Sequence, residues 1–192
     1  MSKKVLILLG HPDAETYSGA MATAYETSSR NAGHEVRRVN LGELSFDPIL
    51  HKGYKVIQEL EPDLLQLQES FRWADHIALF YPNWWNTMPA LLKGLFDRFW
   101  IPGFAFNFNK QTKKIEQHLK GKSARVVVTA GTISPLKTWW RYGDFTNEIQ
   151  HGILEFAGIK TKVSVYGPCE KVDEACRDKW LQEVAKLGEK AS

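Results

Sequence analysis

Cysteine is scarce in this chain. The two present in 192 residues, Cys169 and Cys176, cannot build the disulfide scaffold of a small secreted domain. They have neither metal-ligand spacing nor nearby histidine partners, so no metal site is indicated and a reduced pair in a cytosolic protein is expected. Long hydrophobic runs are missing too. No apolar stretch approaches the roughly 18 residues of a membrane span, and the opening MSKK leads into too short an apolar burst for a signal peptide. The expectation is a soluble, cytoplasmic protein with no direct membrane insertion. Charge of one sign is also lacking: 25 Lys and Arg face 22 Asp and Glu, a formal net charge of +3, too weak and scattered to argue for nucleic acid. The one concentrated run, Lys110, Lys113, Lys114, Lys120, Lys122 and Arg125, reads as a solvated loop. Absent, finally, are Gly-x-Gly-x-x-Gly and Gly-x-x-x-x-Gly-Lys, the two commonest nucleotide-phosphate fingerprints.

What is present suits one globular domain over residues 1–192, since 43% of the chain is hydrophobic and a domain of this size buries roughly 70% of its unfolded surface. Five short apolar runs rich in β-branched residues recur at Lys4 to Gly10, Glu35 to Leu41, His76 to Tyr81, Ala124 to Thr129 and Thr161 to Tyr166. Each is followed by a loop and a helical pattern, the signature of a parallel sheet wrapped by helices. Helices are expected from Gly19 to Asn31 with Ser18 as cap, from Asp63 to Trp73 behind Pro62, and from Ala90 to Trp100 behind Pro89. Two more are expected from Asn147 to Ala157 and from Asp173 to Leu187, the last stopped by Gly188. Five units favour an α/β, flavodoxin-like, doubly wound five-stranded parallel sheet of order 2-1-3-4-5 with helices on both faces.

Such sheets bind ligands at the carboxyl ends of their strands, at the switch in strand order. The three loops there read GHPDAETYSG, YPNWWNTMP and TAGTISPLKTWWRYGD. In the first, His11, Thr16, Tyr17 and Ser18 place three hydroxyls and an imidazole where a strand meets a helix N-terminus, an anion site in kind. Ser18 alone needs to be no more than an N-cap, and His11 equally suits a structural role. In the second, two consecutive tryptophans, Trp84 and Trp85 between Asn83 and Asn86, cannot both enter one core; ligand binding and an oligomer contact both account for them. The helix after them carries Leu91, Leu92, Leu95, Phe96 and Phe99 as a core or subunit stripe, with Gly94 permitting close packing. In the third, Thr129, Gly131 and Thr132 let a ring approach the backbone, and Trp139, Trp140 and Tyr142 form a hydrophobic lid or a plain surface cluster. A planar aromatic cofactor with a phosphate tail suits the set.

The stretches GHPDAETYSGAM, FDPIL, WADHIALFYPNWWNTMPALLKGLFDRFWIPGFAF and HGILEFAGI together resemble the flavodoxin-like NAD(P)H:quinone oxidoreductase family, related to DT-diaphorase. The likeness runs from the first strand to about Pro168, and Pro82 to Gly94 is its most specific piece. The resemblance implies a flavin, FMN or FAD, NAD(P)H as reductant, a quinone-like acceptor and a homodimer. By position it implies that His11, Thr16, Tyr17 and Ser18 form the flavin-phosphate loop, and that Pro82, Asn83, Trp84, Trp85 and Asn86 run beside the isoalloxazine. Thr129, Ala130, Gly131 and Thr132 fall where many relatives have Thr-Thr-Gly-Gly at the pyrimidine end. Relatives place a Tyr and a His over the ring where this chain has Leu136 and Tyr142. Charge stabilisation during hydride transfer is then expected from Tyr142 and the backbone of Gly131 and Thr132. Reduction of azo compounds, nitro compounds or free flavin uses the same reductive half-reaction. The family also contains ancillary regulatory subunits of potassium-efflux systems.

Overall fold

The computed structural model describes residues 2–131 and 133–192. In chain order its main elements are β1 (Lys4–Leu9), α1 (Tyr17–Asn31), β2 (Glu35–Asn40), α2 (Pro62–Trp73), β3 (His76–Asn83), α3 (Ala90–Phe99) and β4 (Phe106–Phe108). There follow β5 (Ile115–Gln117), β6 (Ser123–Ala130), α4 (Pro135–Tyr142), β7 (Lys160–Tyr166) and α5 (Glu174–Lys190). Five strands form one parallel sheet in the order β2-β1-β3-β6-β7. The α/β architecture is the expected one. The strand numbering differs, because β4 and β5 pair antiparallel with each other in a separate hairpin.

The period of two along each strand divides the core into two layers. Val5, Ile7 and Leu9 of β1, with Ala78, Phe80 and Val127, face Met21, Ala22 and Tyr25 of α1 and Val184 of α5. Leu6 and Leu8, with Ile77, Leu79, Val126 and Val128, face Leu64, Leu67 and Phe71 of α2 and Leu92, Leu95 and Phe99 of α3. The apolar stripe of α3 is therefore intrachain core, and Gly94 exists for an intrachain contact. A Cβ there would lie 2.6 Å from both Cβ and O of Pro48.

Several expectations need correction. β3 extends past Tyr81, so that Pro82 and Asn83 pair with Thr129 and Ala130. Phe80 accepts the Gly10 N–H at 2.7 Å, and Pro82, two residues on, faces the same side, where β1 has ended; its missing donor therefore costs the ladder nothing. Helix α1 is capped by Thr16, whose side chain accepts the Gly19 N–H at 3.2 Å, and Ser18 lies inside the first turn. The helix expected at Asn147 to Ala157 is a π-helical turn, Glu148–Leu154, followed by a 3-10 turn, Glu155–Ala157. Helix α5 continues through Gly188, where a Cβ would sit 2.4 Å from the Tyr25 carbonyl oxygen. That glycine admits the neighbouring helix rather than stopping its own. The segment read as a loop between Ser134 and Gly143 contains α4. In the basic run, Arg125 is buried on β6, its Nε donating to the Ser192 carbonyl and its Nη1 to Ser164.

The long connection between β2 and α2 is tied down by Arg98 of α3. Its fully buried guanidinium donates to the carbonyl oxygens of Asp47 and Glu59 and to both carboxylate oxygens of Glu61. Those bonds to Arg98 and to the Asp47 N–H outweigh desolvation and hold the Glu61 carboxyl below its ordinary range. A cavity of about 760 Å³ opens beside this clamp, lined by Tyr54, Ile57, Phe96, Trp100 and Ile153 among others.

Candidate active-site cleft

Two cavities meet at the carboxyl end of the sheet. One, about 550 Å³, is lined by His11, Thr16, Tyr17 and Ser18 on one side and by Thr129, Ala130 and Gly131 on another. The second, about 400 Å³, is lined by Asn86, Ile133, Thr138 and Tyr142. Asn83, Trp85, Ala130 and Gly131 line both, so the two form one cleft. Pro82 and Trp84 line the first. Thr132, the remaining sequence candidate, lies outside the described residues.

The phosphate-loop side is not simply a row of free hydroxyls. Thr16 Oγ1 is used as the cap of α1, Ser18 Oγ is 2.9 Å from Thr129 Oγ1, and the Tyr17 hydroxyl donates to the Arg177 carbonyl at 2.8 Å. Burial pushes the Tyr17 phenol up, so it stays a neutral donor. What remains for an anion is backbone. The first-turn N–H groups of Tyr17 and Ser18 make no hydrogen bond within the described residues, the usual orphan donors of a helix start. His11 adds to them: its Nδ1 accepts the Asp13 N–H at 2.9 Å, which leaves Nε2 as the N–H of the neutral ring. Its ring meets Trp84 edge-on, with centroids 5.2 Å apart.

The aromatic side is a tight turn. Trp84 and Thr87 exchange backbone hydrogen bonds at 2.9 and 3.1 Å, and between them Trp85 and Asn86 have φ of 53° and 67°. Two successive positive φ values define a type I′ turn, unusual for tryptophan. The turn is held from below by Thr87, whose hydroxyl donates to Glu148 at 2.7 Å. It carries Trp85 99% exposed over the cleft. Beside it the side-chain oxygens of Asn83 and Asn86 are buried and have no hydrogen-bond partner among the described residues. An orphaned buried acceptor costs about 1–3 kcal/mol, and a ligand N–H would remove that cost.

Beyond Ile133 and Thr138 of the third loop, the cleft gains three residues from a fourth loop and the helix start after it, to which the sequence did not point. Cys169, Glu170 and Arg177 line the cavity beside Tyr17, brought there when the Cys169 N–H bonds the Ala130 carbonyl at 2.8 Å and the Glu170 N–H bonds that of Gly131 at 3.1 Å. A Cβ on Gly131 would approach Glu170 Oε1 to 2.9 Å, which places the Glu170 carboxylate directly against this strand end. Burial pushes the Cys169 thiol up, away from a reactive thiolate. The loop after the last strand of a doubly wound sheet ends on the same edge as the others, and that was the available signal. The donor set fits a flavin: orphan N–H groups and Arg177 for phosphate, amide oxygens for a ring N–H, and indole surface for the ring face. Among the described residues no group of three or more His, Cys, Asp or Glu is placed to hold a metal.

The sequence profile described as flavodoxin-like fold matches residues 3–187. The chain is similar to an uncharacterised NAD(P)H oxidoreductase of Haemophilus influenzae, 26% identical over 92% of this chain and 90% of the other. It is also similar to the mouse ribosyldihydronicotinamide dehydrogenase [quinone], 28% identical over 82% of this chain and 78% of the other. In structure it superposes on the NAD(P)H:quinone oxidoreductase of Methanothermobacter marburgensis with a TM-score of 0.84, 24% identity and full coverage of both chains.

Proposed function

Because the chain belongs to the flavodoxin-like fold family, we propose that it is a flavin-dependent NAD(P)H oxidoreductase that delivers two electrons to a quinone-like acceptor. The observation that carries this reading is the joined cleft, with orphaned donors at one end and orphaned acceptors at the other. The names of its relatives support it. The flavin, FMN or FAD, supplies hydride acceptance and return.

The remaining work belongs to the chain's own backbone and side chains. The Tyr17 and Ser18 N–H groups, His11 Nε2 and Arg177 hold the phosphate end. Asn83 and Asn86 accept from ring N–H, which fixes the ring's orientation. Trp85 and Trp84 cover ring surface and exclude water. Tyr142, with the backbone of Gly131, offers O–H and N–H donors where negative charge grows on the acceptor or the ring edge. The partner is a second copy of the chain, because the rim of the cavity beside Arg98 exposes Tyr54, Val56 and Ile57, the last 93% exposed. Unpaired Cys169 and Cys176 suit a reducing, cytoplasmic setting.

The test is the absorption spectrum of the purified protein, with the released flavin identified by chromatography. NADH and NADPH are then each supplied with quinone, azo and nitro acceptors. A colourless protein that takes up neither FMN nor FAD ends this reading; light scattering settles the dimer.

A further inference from the structure

Helix α4 buries almost none of its own surface. Of its residues only Thr138 is buried. At about 100° per residue, Leu136 and Trp140 point nearly opposite to Thr138, and they are 74% and 83% exposed. Lys137 and Arg141 lie along one flank. Trp139 and Tyr142 lie along the other, where Tyr142 lines the cleft with Trp85. No carboxylate occurs between Gly131 and Gly143. Asp144, the next residue, spends an oxygen on the Thr146 N–H and hydroxyl at 2.8 and 2.7 Å. Neither Lys137 nor Arg141 forms an ion pair among the described residues.

We propose that α4 is a peripheral membrane-docking helix, setting Leu136, Trp139 and Trp140 into the interface of an anionic bilayer with Lys137 and Arg141 on its headgroups. The occupant follows from chemistry. Tryptophan and leucine on one side with unpaired cations beside them is the composition of helices that lie in the membrane interface, and an all-cationic flank complements anionic lipid. A protein partner would equally take the apolar face, but would not require a flank free of acids. Among the described residues no helix is long and apolar enough to cross a membrane, so the contact lies on the surface. This deepens the quinone reading and in that respect rests on it: an apolar quinone dissolves in the bilayer, and α4 would bring the mouth of the cleft to it.

The experiment is co-sedimentation of the purified flavin-loaded protein with vesicles of phosphatidylcholine alone or mixed equally with phosphatidylglycerol, at low and high salt. Wild type should sediment with the mixed vesicles and leave them as salt is raised. Replacing both cations, Lys137→Gln with Arg141→Gln, should weaken binding about 25-fold, roughly fivefold for each charge. Trp140→Ser should weaken it about tenfold by removing buried apolar area. Both variants should keep wild-type turnover of a water-soluble quinone and, by circular dichroism, the wild-type fold. The proposal is overturned if wild type ignores the mixed vesicles, or if both variants bind them as tightly as wild type. It is also overturned if Trp140→Ser splits a dimer in light scattering, since the face would then be a subunit contact. Vesicle binding by a protein that turns over no quinone supports docking while ending the oxidoreductase reading. Quinone turnover without vesicle binding does the reverse.

Discussion

The hydroxyl of Ser18 lies 2.9 Å from that of Thr129, a buried bond between the first turn of α1 and the end of β6. It joins two of the three loops that make the cleft. Ser18→Ala leaves the Thr129 hydroxyl buried without a partner and should cost about 1–2 kcal/mol, and Thr129→Val should cost a similar amount. With both hydroxyls gone the penalty of an orphan disappears. The double variant should therefore be more stable than the sum of the single losses predicts, by about 0.5–1.5 kcal/mol. Urea unfolding of the flavin-free proteins measures this; strictly additive losses would mean the two hydroxyls do not interact.

Gly188 carries a different constraint. A methyl group there would stand 2.4 Å from the Tyr25 carbonyl oxygen and 2.9 Å from its Cα, both backbone atoms that cannot rotate away. Alanine normally stabilises a helix interior by about 1 kcal/mol over glycine. Here the clash should outweigh that gain, since overpacking costs typically 1–3 kcal/mol. Gly188→Ala is expected to lower the melting temperature, and a rise would show that α1 and α5 separate freely.

The same residue shows why parts of the fold were legible in the sequence and parts were not. β1, β3 and β6 are buried on both faces, so they appear as unbroken apolar runs and were found. The strands of the β4–β5 hairpin pair only with each other, and Lys110 to Lys114 between them carry no alternation. Helix α4 carries Leu136, Trp139 and Trp140 at helical spacing, but that stripe is short and faces outward, with Thr138 alone buried, so it reads as an aromatic cluster in a loop. Gly188 looks like a stop signal unless one knows that Tyr25 lies against it. In the cleft, three loops were readable because parallel topology brings strand ends together. Which hydroxyl caps α1 was not readable, because that depends on Thr16 having extended backbone, with φ of −133°. Cys169 and Glu170 reach the cleft through backbone hydrogen bonds to Ala130 and Gly131, some forty residues earlier in the chain, and Arg177 follows from the start of α5; no local pattern records those.

His76 sets a pH dependence. Its ring is buried on β3, with Nδ1 2.8 Å from Ser123 Oγ, no partner for Nε2 among the described residues, and Tyr25 stacked at a centroid distance of 6.4 Å. Burial first, then Lys3 and Arg125, lower its pKa from 6.5 to about 3. The unfolded chain therefore takes up a proton between those values that the folded protein does not. Stability is complete above about pH 6.5 and falls as pH drops toward 3, by up to about 1.4 kcal/mol per pH unit from this group. His76→Gln removes the titration. Between pH 7 and 5 the wild type should lose about 2 kcal/mol more than the variant in urea unfolding, and parallel pH curves would refute the assignment.

Asn83 separates stability from binding. Its buried oxygen has no partner among the described residues, and the residue lines both halves of the cleft. In the flavin-free protein Asn83→Ala removes an unpaid desolvation cost and opens no closed cavity, so stability should be unchanged or rise by up to about 1 kcal/mol. With flavin the sign reverses. If the oxygen accepts a ring N–H, its loss should weaken flavin affinity about tenfold, or about 1.4 kcal/mol. Urea unfolding of the flavin-free variant gives the first quantity, and quenching of flavin fluorescence on titration gives the second. A variant that loses stability without flavin while keeping wild-type affinity would make Asn83 a structural residue and leave ring recognition to Asn86.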